Sequence, residues 1–127
     1  MKDRFHKRIS NKARRGFRGW PVATIAFYGP DLFRASKVTV GIIRVEGEEA
    51  EMRTWHNSDA DVRQDPVIGQ EIAEHLASHG ARSVSMTETI IGCPHQEGID
   101  YEGDWCPVCD FWKGRDRFTG KLLSPMD

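Results

Sequence analysis

Residues 65–91 read DPVIGQEIAEHLASHGARSVSMTETII, a helical pattern that passes directly into a strand pattern. Asp65 is a good helix N-cap and Pro66 suits the first helical position, where its missing N–H costs nothing. Ile68, Ile72 and Leu76 then recur at i, i+4 and i+8, with Ala73 and Ala77 beside them and Glu71 and Glu74 facing outward. This spacing predicts an amphipathic helix from Pro66 to about His79, stopped by Gly80. From Arg82 to Ile91 the period changes. Val84 and Met86 alternate with polar residues, the mark of a strand. A helix that feeds a strand favours a parallel pair with a right-handed crossover.

Upstream, Trp20–Tyr28 (WPVATIAFY) is rich in β-branched and aromatic residues and ends at the turn Gly29-Pro30-Asp31. Its near-continuous apolarity predicts a strand buried on both faces. Lys37–Glu46 (KVTVGIIRVE) reads as a second strand, with Val38, Val40 and Ile42 on one face and Ile43 and Val45 on the other. Gly41 within it marks a bulge or a close backbone approach. Gly47 and the acids after it make a hairpin turn into a third strand, Glu51–Trp55, and His56–Gln64 is polar and loop-like. The expected fold is α+β: a small mixed sheet in β-β-β-α-β order with one covering helix and a C-terminal zinc loop. With 127 residues and 39% hydrophobic side chains there is material for a single core. The division expected is a basic flexible arm at 1–19, an α/β core at 20–92, and a zinc-binding loop with an aromatic and basic tail at 93–127, packed on the core. No stretch approaches the roughly 18 consecutive apolar residues that span a bilayer, so no membrane partner is expected.

The net charge of −1 conceals an asymmetry. Residues 1–18 hold eight Lys or Arg against the single acid Asp3, a balance of +7, which leaves −8 on the remainder. A basic arm on an acidic body points to nucleic acid or an acidic partner, reached through Lys7, Arg8, Lys12, Arg14, Arg15 and Arg18. The bland alternative is a solvated tail. Arg14-Arg15-Gly16-Phe17 has the look of a twin-arginine export signal, but the apolar stretch Val22–Tyr28 that follows is short and β-patterned. The expected compartment is therefore the cytoplasm.

The three cysteines decide the chemistry. Cys93, His95, Cys106 and Cys109 form C-x-H-x10-C-x2-C. An odd number of cysteines argues against a disulfide framework. Zinc in a closed structural site takes four N or S ligands in a tetrahedron. Cys106-Pro107-Val108-Cys109 makes a tight turn with two thiolates facing one centre, and Cys93 and His95 share a face of extended backbone. All four are the expected ligands of Zn2+. An iron–sulfur cluster is the second candidate, and zinc is the commoner occupant of such a set.

A zinc-dependent enzyme, a hydrolase or a deaminase-like protein, is the alternative function. His95-Gln96-Glu97 has the H-x-E form used with P-C-x-x-C in zinc deaminases, with Glu97 or Glu88 as acid or base. Only eight residues separate Glu97 from Cys106, however, and four protein ligands leave zinc no open position. No catalytic residue is assigned. His75 and His79, four apart, suit the last turns of the helix better than a metal. The tail from Phe111 to Gly120 mixes aromatic and basic residues, which can stack on bases. Packing around a small metal lobe is the favoured reading, with Trp20, Trp105 and Trp112 as its neighbours.

Gly92–Trp112 (GCPHQEGIDYEGDWCPVCDFW), with Trp20–Asp31 and less specifically Ile68–Gly80, resembles a group of small bacterial proteins that carry a GCPHxEGIDY…CPxCxFW metal loop. The likeness covers roughly residues 19–120 and leaves out the basic arm. It implies a compact cytoplasmic domain with Cys93, Cys106, Cys109 and His95 as ligands, and it carries no activity with it. The reading that follows is a small zinc-binding protein whose metal is structural and which acts as a binding module for nucleic acid or a protein partner.

Overall fold

The computed structural model describes residues 16–95, 109–116, 118, 119, 121 and 122. Four strands form one sheet: β1 (Val22–Tyr28), β2 (Lys37–Ile43), β3 (Glu51–His56) and β4 (Ser83–Ile90), in the spatial order β3-β2-β1-β4. β1 and β2 are antiparallel, as are β2 and β3, whereas β4 lies parallel to β1. The helix α1 (Pro66–Ser78) bridges β3 at one edge and β4 at the other. This is the expected mixed sheet in β-β-β-α-β order.

Local chemistry sets the helix ends. The Asp65 carboxylate accepts from the N–H groups of Val67 and Ile68 at 2.9 and 3.2 Å, satisfying two of the donors a helix start leaves open. After the C-cap His79, Gly80 takes the left-handed conformation at φ +64°. Ile68, Ile72 and Leu76 are the buried residues of α1. They join Ala23, Ile25 and Phe27 of β1, Val38, Val40 and Ile42 of β2, Trp55, Val84 and Ile90 in one core. The register explains why a single sheet face supplies these residues. Ile25 pairs with Val40 and Met86, and Phe27 pairs with Val38 and Ile90. Period-2 alternation then puts them all on the side that α1 covers.

Three features differ from the sequence expectation. β1 is not buried on both faces: Val22, Thr24 and Ala26 are half-buried, alternating with the buried Ala23, Ile25 and Phe27. The doubly buried strand is β2, where every residue from Lys37 to Ile42 is buried. β2 also ends at Ile43, so Val45 falls in the turn and is 56% exposed instead of lining the second face. Gly41 serves close approach. A Cβ there would lie 2.8 Å from Thr24 Oγ1 and 2.9 Å from Met52 Sδ, so both side chains would have to shift to admit one. The irregularity in the sheet lies elsewhere, between Ile25 and Phe27 against β4, where the Thr87 hydroxyl accepts from the Phe27 N–H at 3.2 Å.

The two histidines of α1 are packing residues. His75 stacks edge-on against Trp55 and His79, with centroids at 5.8 and 4.5 Å, and its Nε2 is buried with no hydrogen-bond partner. Burial, then the charges of His79 and Arg53, hold its pKa below 6.5, with Glu51 opposing. The folded protein therefore resists a proton that the unfolded chain accepts. Stability is fully present above pH 6.5, falls as the pH drops below that value, and levels off once the lowered native pKa is passed. Urea midpoints between pH 7.5 and 5 should show this loss, and His75→Leu should flatten it. An unchanged acid slope in that variant would show that His75 is not its source.

Candidate metal centre

The site is built on the C-terminal ends of the parallel pair β1 and β4. Beyond β4 the pairing runs on: Ile91 N–H donates to Phe27 O at 2.9 Å, and Gly29 N–H donates to Gly92 O at 2.9 Å. Gly92 then takes φ +133°, a conformation that residues with a Cβ rarely adopt. It turns the chain from the strand into Cys93, which is fully buried at 0% exposure.

Cys109 arrives from the other side. It precedes a short 3-10 turn, Asp110–Trp112, whose Trp112 N–H donates to Cys109 O at 3.1 Å. The Trp112 indole is 4% exposed, and its N–H donates to Gly29 O at 2.8 Å. Gly29 thus holds both ligand-bearing segments, one by its N–H and the other by its carbonyl. Phe111 packs edge-on to Trp112 at 5.3 Å, and the Arg115 guanidinium lies 4.3 Å from the Phe111 ring centroid. The described part of the tail packs on the core through Phe111 and Trp112. Phe118 and Leu122 stay 65% and 69% exposed.

Cys93 Sγ, a ring nitrogen of His95 and Cys109 Sγ all lie within 4.8 Å of one another. His95 Nδ1 is 3.3 Å from Cys109 Sγ. Zinc–sulfur bonds of about 2.3 Å and zinc–nitrogen bonds of about 2.0 Å put tetrahedral ligand atoms roughly 3.5–3.8 Å apart. The donor set therefore fits a metal ion after movements of an ångström or less. This Cys-His-Cys group could hold a metal.

The remaining expected residues divide cleanly. Cys106 and Glu97 lie outside the described residues, as do Trp105 and the arm residues Lys7, Arg8, Lys12, Arg14 and Arg15; of the Glu88 side chain nothing is described. Arg18 is exposed, with its backbone N–H donating to Ser83 Oγ at 2.7 Å. Ser83 Oγ in turn donates to Gly19 O at 2.7 Å. The root of the arm is thus fixed at the N-terminal end of β1. Seven residues of strand, about 20 Å, separate that end from Gly29. Trp20 lies at this far end against Phe17, at 5.7 Å, about a strand's length from the described donor residues.

Comparison of the chain with protein-family models, with curated proteins and with solved structures found no match. The geometry of the site therefore carries the functional reading. Sequence reasoning missed two of its parts. One is the Gly29 peptide, visible only as a turn signal. The other is Lys37, whose ammonium donates to Pro94 O at 3.1 Å. A lysine opening a strand gives no sequence sign that it is buried. Among the described residues, no helix is long and apolar enough to cross a membrane.

Proposed function

We propose that this protein is a small cytoplasmic zinc-binding module, in which a structural Zn2+ held by Cys93, His95, Cys106 and Cys109 fixes the C-terminal segment against the sheet. The convergence of three donor atoms within 4.8 Å carries this reading. Zinc supplies a cross-link between the two donor-bearing segments, which is how small lobes are stabilised. The residues around it do the positioning: Gly29 and Trp112 set the spacing of the two segments, and burial of Cys93 keeps water from one thiolate. Elemental analysis of the purified chain should give one zinc per molecule. Iron with visible absorbance, or a metal bound by only the three described donors and water, would instead favour a redox or catalytic centre.

The module's partner in this reading is nucleic acid, met by the basic arm. The supporting observations are the +7 balance of residues 1–18 and the anchoring of the arm's root, which sets it about 20 Å from the metal loop. Binding of a fluorescent single-stranded oligonucleotide should weaken steeply with salt. Replacing Arg14 and Arg15 by glutamate should cost roughly tenfold or more. Unchanged affinity in that double variant would exclude this part of the arm as the contact.

A further inference from the structure

The segment that leads into β1 is tied to the start of β4. The Arg18 N–H donates to Ser83 Oγ, Ser83 Oγ donates to Gly19 O, both at 2.7 Å, and Pro21 O accepts from the N–H groups of Arg82 and Ser83 at 2.8 and 3.3 Å. On this fixed backbone Phe17 is 68% exposed, its ring edge-on to the half-buried Trp20 at 5.7 Å. Gly19 takes φ +112°, and the place of its missing Cβ lies 3.2 Å from the Arg82 guanidinium. A bare peptide at Gly19 thus lets Arg82 lie against the root of the arm. Arg18 and Arg82 are both exposed, and among the described residues neither guanidinium has an acidic partner. The turn between β2 and β3 brings Glu46, Glu48 and Glu49 to the same end of the sheet, but it hangs from the β3 edge, and β4 is the opposite edge.

A single exposed aromatic ring is ordinary. One held on fixed backbone, on a stretch that also carries Arg18 and receives Arg82, matches a ligand that offers a flat face and negative charge together. An unpaired nucleotide offers both. Its base stacks on an aromatic ring and its phosphate takes a guanidinium. An acidic peptide offers the charge without the flat face. We infer that Phe17, Arg18 and Arg82 form a docking point for single-stranded nucleic acid, with the Phe17 ring as platform for a base and the two arginines on neighbouring phosphates. This rests on the nucleic-acid reading above and deepens it, because the docking point makes binding depend on unpaired bases and not on charge alone.

The test measures binding of an end-labelled single-stranded oligonucleotide, and of an abasic strand of the same length and charge, to the full chain. The variants are Phe17→Ala, Phe17→Tyr, Arg18→Gln and Arg82→Gln. Wild type should prefer the base-bearing strand. Phe17→Ala should weaken that binding roughly fivefold or more and leave the abasic strand unaffected, and Phe17→Tyr, which keeps a ring, should stay close to wild type. Arg18→Gln and Arg82→Gln should each make the slope of log affinity against log salt shallower by about 0.7, the share of one phosphate on a single strand. Phe17→Ala should leave that slope as it is. All three positions are exposed, so melting temperatures should stay near that of wild type. Wild-type affinity in Phe17→Ala, or an equal loss on both strands, overturns the platform. Equal affinity of wild type for the two strands overturns the inference and leaves an arm that reads charge alone, as an acidic protein would supply it. An unchanged salt slope in either arginine variant overturns the part assigned to that residue. If Phe17→Ala does not fold, the comparison of the two strands on wild type decides. Failure of wild type to bind either strand would instead overturn the nucleic-acid reading itself.

Discussion

Cys93→Ser is expected to abolish stoichiometric metal binding and to bring the melting temperature down to that of the chelated wild-type protein. Cys93 is fully buried and its thiol lies within 4.8 Å of the His95 and Cys109 donors. A serine hydroxyl stays protonated at neutral pH and is a poor zinc ligand, so the substitution removes both a bond and a charge. Structural zinc in small domains contributes roughly 10 kcal/mol or more of apparent binding free energy, and loss of one ligand forfeits much of it. The loss should not unfold the sheet. The core is made chiefly of β1, β2, β4 and α1 with Trp55 of β3, and among the described residues Cys93 and Trp112 join it from the metal-bearing segments, with Cys109 and Phe111 packed against it. Far-UV circular dichroism should therefore keep its strand and helix signal after chelation, while tryptophan fluorescence changes as Trp112 is released. An unaltered metal content in Cys93→Ser would remove this residue from the ligand set.

Trp112→Ala is expected to cost about 3–5 kcal/mol, the usual range for emptying a buried tryptophan site. It also leaves the Gly29 carbonyl without the indole donor that now meets it at 2.8 Å. Because Gly29 also holds the other segment, by donating its N–H to Gly92 O, the damage should reach the metal. Zinc affinity should fall along with stability. Trp112→Phe keeps most of the apolar contact and loses only the hydrogen bond, so about 1–2 kcal/mol is expected. A double-mutant cycle of Trp112→Ala against chelation separates the two effects. If metal and indole hold the same segment, Trp112→Ala should cost less in the chelated protein than in the loaded one. Additive effects would show that Trp112 serves the core alone.

Much of the fold was legible because its signals are local. Asp65-Pro66 and the 3.6-residue spacing of Ile68, Ile72 and Leu76 mark α1 to within a residue of its observed end. The change to alternation at Val84 marks β4. The error over β1 has a physical origin. A continuous apolar run shows that a strand is central, but it does not say how its second face is covered. That depends on which strand pairs beside it. The second face of β2 is closed by cross-strand contacts, including the hydroxyl pair of Thr39 and Thr54 at 3.1 Å and Met52 against Gly41. No periodicity within one segment encodes such contacts.

The order of the elements, the Cys and His types of the candidate donor set and the charge imbalance of the arm are all written in the chain's residues. These follow from residue type and from spacings of a few residues, where chain geometry leaves little choice. That β4 docks beside β1 and not beside β3 is settled by the folded chain as a whole. That pairing is what brings Gly92 against Gly29 and places Cys93 within reach of Cys109. The fold also decided that the arm's root and Cys93 stand at opposite ends of the β1–β4 pair, and that Lys37 is buried against Pro94. Each of these is a contact between residues far apart in the chain. Their joint burial is set by how the sheet and helix exclude water together, and a single segment read alone contains no record of it.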